Sequence, residues 1–114
     1  MTRTHTPSNL TVWLQRIDVN GLTDEECNYL SKFDIEDDDD LDVVINKWLM
    51  SWYASHSVQN RQTMRDVIAQ SSEWDDRSLR RVFDQIWLPS GQGIVNIHRF
   101  LDALRAAVLK SPNY

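Results

Sequence analysis

Cysteine is nearly absent. Cys27 stands alone among 114 residues, so the chain has no intramolecular disulfide to make, which fits a reducing compartment or a chain that makes no use of cysteine. Glycine and proline are scarce too, three of each. Gly21, Gly91, Gly93, Pro7, Pro89 and Pro112 all fall between periodic segments, where helices break. No apolar run approaches the ~20 residues of a membrane span, and Met1–Pro7 has no hydrophobic signal core. A soluble, cytoplasmic chain without membrane contact is expected. A basic excess is also missing. Residues 1–57 hold eleven acids against four bases, and residues 58–114 six against eight, in keeping with the net charge of −5. An acidic first half repels a phosphate backbone, so direct nucleic-acid binding is not expected. The same charge suits a basic protein surface.

What is present is helical periodicity. Leu10, Trp13, Leu14 and Ile17 form one apolar stripe, with Ser8 or Asn9 as its cap. Thr23-Asp-Glu-Glu26 is a capping box that opens a second helix carrying Cys27, Leu30 and Phe33. Cys27 there reads as a small core residue rather than a nucleophile. Leu41, Val44, Ile45, Trp48, Leu49 and Trp52 follow the helical repeat without a fault, and Val43, Met50 and Tyr53 widen that face. Further helices are expected over Gln59–Gln70, Asp75–Trp87 and Asn96–Leu109. Only Gly93–Ile97 has β character, too little for a sheet. The expectation is one all-α domain over 8–110, a compact bundle of about six helices. A flexible N-terminal tail is expected at 1–7 and a C-terminal tail at 111–114.

Between Phe83 and Leu104 the chain reads helix, glycine-pivoted loop, helix. Gly91-Gln-Gly93, Val95, then Phe100-Leu101 and Leu104 resemble the EF-hand family over residues 79–109, about a quarter of the chain. Counting back from Phe100 puts Arg99 at loop position 12, Val95 at 8, Gly93 at 6, and Leu88, Ser90 and Gln92 at 1, 3 and 5. A calcium loop needs six to eight oxygens, with a bidentate Glu at position 12. This loop offers a leucine at position 1 and a cation at position 12, so the resemblance implies a degenerate hand without calcium or other metal. EF-hands pair, and the candidate partner hand is Leu30–Asp42. The implied architecture is a degenerate EF-hand pair with an added N-terminal helix. The plainer reading is an ordinary helix, glycine turn and helix whose Ile94 and Val95 plug the core.

Seven of the nine residues 34–42 are acidic. Three readings stay open: a solvated loop in which Asp38, Asp39 or Asp40 caps the next helix, a docking surface for a basic partner, and a weak cation site. His5, His56 and His98 are scattered, no Cys/His spacing suits zinc, and no phosphate loop or serine elbow appears. No enzyme and no cofactor are expected. The chain therefore reads as a non-catalytic module that docks a partner protein, an adaptor, scaffold or regulatory subunit without calcium sensing. The partner would present a basic surface or an amphipathic helix. Asp37, Asp38, Asp39 and Asp40 are the acidic candidates for contact, and Trp52, Tyr53, Trp74 and Trp87 the aromatic ones. Two alternatives stand beside this: an acidic inhibitor or immunity-type protein blocking a basic, nucleic-acid-handling target, and a death-domain-like adaptor.

Overall fold

Pro7 opens the first helix, where its fixed φ suits the first helical position. The computed structural model describes residues 5–91 and 93–110. Helix α1, residues 7–14, begins as the 3-10 turn Pro7–Leu10 and continues as Thr11–Leu14. Its cap is Thr6, whose N–H donates to Asn9 Oδ1 at 2.8 Å, rather than Ser8 or Asn9 itself. Leu10, Trp13, Leu14 and Ile17 are all buried, as their spacing predicts. Residues 1–4 of the expected N-terminal tail, and the whole expected tail 111–114, lie outside the described residues. His5 is buried and its N–H donates to Gln70 Oε1 at 2.9 Å, so the chain is packed from that residue onward.

The 3-10 turn Val19–Gly21 follows. Gly21 lies so close to Gln15 that an added Cβ would collide with the Gln15 carbonyl. Helix α2, Asp24–Leu30, starts at the expected capping box. Thr23 N–H donates to Glu26 Oε1 at 2.9 Å, and Glu26 N–H donates to Thr23 Oγ1 at 3.2 Å. Arg16, in the turn after α1, binds Glu26 at 2.5 Å and ties that turn to this helix. Cys27 is half-buried.

Helix α3, residues 38–54, is three runs in one: Asp38–Val43 and Met50–Ala54 are α-helical, and Val44–Leu49 between them is π-helical. Its cap is Asp37, one residue before the expected Asp38–Asp40, and Asp40 N–H donates to Asp37 Oδ2 at 3.0 Å. Leu41, Val44, Ile45, Leu49 and Tyr53 are buried, while Trp48 and Trp52 pack at the edge of the core. Helix α4, Val58–Gln70, is capped by Ser57 and buries Met64, Val67 and Ile68. Helix α5, Asp76–Phe83, is capped by Asp75. It stops four residues short of the expected Trp87, because the chain turns away toward Pro89, whose ring disfavours a helical residue before it. Trp87 consequently leaves the apolar face: its carbonyl accepts from Val19 N–H at 2.9 Å and the residue is 55% exposed.

A turn with Gly91 N–H bonded to Leu88 O at 2.9 Å leads onward, with proline second and glycine fourth. Gly91 has φ +88°, a backbone that only glycine adopts freely. Ile94 plugs the core as expected, but Val95 is 69% exposed. Helix α6, Ile97–Lys110, packs along α4 and touches the π-helical run of α3 and helix α5. Phe100 meets Phe83 edge to face at 6.0 Å. Arg65 caps its far end by donating to Val108 O at 2.6 Å, and Arg105 reaches Ser71 Oγ at 2.8 Å. The product is an all-α bundle of six helices, and no strand occurs among the described residues. Its Cα radius of gyration, 13.5 Å, matches the roughly 13 Å of a single compact domain this long. Among the described residues no helix is long and apolar enough to cross a membrane.

Candidate functional site

Where α3 runs beside α6, the two helices leave an open groove of about 420 Å³. Its origin lies in side-chain size. The α6 wall carries Ala103, Ala106 and Ala107, whose single methyl groups leave the space facing α3 open. The floor is Leu41 and Ile45 from α3, both buried. The α3 wall is polar: Asp38, Asp42 and Asn46 recur every four residues and so stand one above another. Asn46 donates to Asp42 Oδ1 at 2.7 Å. Ile45 and Asn46 belong to the π-helical run, a local irregularity often found at functional sites. Arg99 closes one end and Lys110 marks the other.

Arg99 joins the groove to the acidic segment. Asn96 caps α6 by accepting from Arg99 N–H at 3.1 Å, which sets the guanidinium in the first turn. From there it donates to Ile35 O at 3.0 Å and pairs with Asp38, with Glu36 at 3.9 Å. The hydrogen bond to Asp38 raises the Arg99 pKa further above its ordinary value; partial burial opposes this and the charges of Asp38, Glu36 and Asp37 assist it.

Much of the acidic run is engaged in building its own turn. Asp40 Oδ2 accepts from Asp34 N–H at 2.9 Å, Asp34 Oδ1 from Glu36 N–H at 3.0 Å, and Asp37 caps α3. Asp39 is exposed, and its side chain has no hydrogen-bond or ion-pair partner among the described residues. Among those residues no three His, Cys, Asp or Glu side chains are arranged to hold a metal. No β-bridge joins residues 93–97 to the acidic segment; the described link between the two is Arg99.

The eight residues expected to meet a partner do not converge. Asp38 alone lines the groove, with Asp37, Asp39 and Asp40 in the turn at its head. Tyr53 is 3% exposed and stacks on Trp13 at 5.4 Å, so it belongs to the core and is closed to a partner. Trp52 meets Trp13 edge-on at 6.2 Å, and Trp74 packs against the core from another side. Trp87 is exposed but lies in the α5–α6 connection, clipped to Val19. The alanine wall is not among those eight, although residues 103, 106, 107 and 110 fall on one face at helical spacing. A surface aromatic group was also missed: Tyr29 stacks on Trp48 at 5.3 Å and meets Phe33 edge-on, while Arg16 lies 4.6 Å over Trp48.

A second hollow, about 290 Å³, brings His98 Nε2 within 2.7 Å of Asp76 Oδ1. Both side chains are largely exposed, and none of the residues lining it carries a hydroxyl or thiol. The chain matches no protein-family model, no curated protein and no solved structure.

Proposed function

We propose that this protein is a non-catalytic module that docks a partner protein in the groove between α3 and α6, without calcium sensing. The observation that carries the reading is the groove itself, with its apolar floor, small-residue wall and acidic wall on two helices anchored to the core. Apolar grooves between helices are a recurring seat for a partner's amphipathic helix. Calcium independence has its own support. Arg99 supplies from within the chain the positive charge that Ile35 O, Glu36 and Asp38 would otherwise take from an ion.

Two measurements test this. Calorimetry and tryptophan fluorescence during a calcium titration should show no micromolar binding, and saturable binding there would overturn the calcium claim. A photo-crosslinking residue at position 106 should give a discrete protein adduct. One at position 58, where Val58 is exposed away from the groove, should give none. Equal labelling from both positions would refute docking in the groove. The acidic-inhibitor reading rests on exposed Asp39 and the turn around it, and an adduct from position 39 with none from 106 would favour it.

A further inference from the structure

Resting on that reading of the groove, we infer that its occupant is a cationic amphipathic helix of a partner protein, held with its basic residues over Asp38 and Asp42. Three features lead there. First, shape selects a helix. From Asp38 to Asn46 the α3 wall is about 12 Å long, and from Arg99 to Lys110 the α6 wall is about 16 Å, room for two to three helical turns. An added β-strand needs an unpaired sheet edge, and the described residues contain no strand. A polyproline segment needs an aromatic-lined groove, and no aromatic side chain lines this one. Alanine walls instead let another helix backbone approach closely.

Second, charge selects a cation. Asp38 and Asp42 are one turn apart, so they match lysines or arginines spaced one turn apart on the incoming helix. Asp38 already holds Arg99. Asp42 is bonded to the neutral Asn46 amide, so an incoming cation reaches it without displacing another. Third, the ends differ. Arg99 at the near end is offset by Asp38 and by Glu36 at 3.9 Å. Lys110 at the far end has no ion-pair partner among the described residues and repels cations, so the basic part of the occupant lies at the Asp38–Asp42 end and its neutral or acidic part at Lys110.

The test is a displayed library of 14-residue amphipathic helices, apolar on one stripe and randomised beside it. It is selected on the full chain and counter-selected on Ala106→Trp, an exposed position whose enlargement fills the groove. Enriched sequences should carry Lys or Arg one turn apart at one end. Their affinity should fall about tenfold in Asp42→Asn, the scale of a lost interfacial charge pair. Asp42 is exposed and caps no helix, so that variant keeps the fold whatever Ala106→Trp does; thermal melts of both check it. Groove-dependent binders that are neutral or acidic would overturn the cationic helix and leave the docking reading standing. A library with no binder sensitive to Ala106→Trp would overturn both.

Discussion

Trp13 offers the sharpest test of how the groove-bearing helices are held. Its indole is fully buried, stacks on Tyr53 of α3, meets Trp52 edge-on and donates Nε1–H to Met64 O of α4 at 3.2 Å. It thus joins α1, α3 and α4. Buried Trp→Ala changes cost about 3–5 kcal/mol. Trp13→Ala belongs at the upper end, because it also removes two aromatic pairs and a hydrogen bond. Trp13→Phe keeps a ring against Tyr53 and loses the N–H donor and part of the packed area, roughly 1.5–2.5 kcal/mol. An unfolding entropy of roughly 2.1 cal/mol/K per residue makes each kcal/mol worth about 4 °C here. Trp13→Ala should therefore lower Tm by about 15–20 °C and Trp13→Phe by about 6–10 °C, read by far-UV circular dichroism and urea titration. A loss below about 5 °C for Trp13→Ala, or equal losses for both, would refute the three-helix role. Trp13 lines no part of the groove, so folded Trp13→Phe should bind a groove ligand unchanged.

Three further outcomes follow from local chemistry. Asp37→Ala should cost about 0.5–2 kcal/mol in a urea titration by removing the α3 cap, whereas Asp39→Ala should fall within about ±0.5 kcal/mol; equal costs would refute the division of labour within the acidic turn. The Thr23 N–H bonded to Glu26 holds its carboxyl below the usual range, burial opposing and Arg16 assisting. A lowered folded pKa gives stability that is fully present above the unfolded value, near 4.3, and lost as pH falls through the folded value. Glu26→Gln should accordingly flatten the loss of stability below about pH 4.3, and an unchanged acid limb would contradict the capping box as its cause. Gly91→Ala should destabilise by about 1–2 kcal/mol through its left-handed backbone, and Gly21→Ala should also destabilise, by collision with the Gln15 carbonyl; a neutral result at either position in thermal melts would count against the geometry described.

The helices were legible because their apolar residues recur every third or fourth position, and α4 and α6 bury the side chains that this spacing selects. Register within them was less so. Periodicity treats Trp52 as the inward residue and Tyr53 as surplus, but the π-helical run upstream puts Tyr53 against Trp13 and leaves Trp52 at the edge. The end of α5 was misplaced because Ile86 and Trp87 continue an apolar pattern that the turn into Pro89 cuts short. The groove was hidden for a different reason. Alanine is the best helix former and carries no sign of what faces it, so a space between two helices far apart in sequence leaves no local trace. In sequence Arg99 is only a misfit at position 12 of a calcium loop; its partners Ile35 and Asp38 lie more than sixty residues away and follow from packing alone.

The π-helical run also bears on how α3 could change. An i→i+5 bond, such as the one from Met50 N–H to Ile45 O, takes in one residue more than an α-turn does. Deleting Lys47, which is exposed and lies outside the groove, would restore a plain α-helix in which Tyr53 takes the inward place that unbroken periodicity gives to residue 52, so both ends of α3 would keep their faces. An extra residue elsewhere in α3, with no π-turn to take it up, would instead swing everything beyond it by about 100° and carry Tyr53 off Trp13. The π-turn thus absorbs one residue of chain length and keeps the acidic wall and the aromatic anchor in phase.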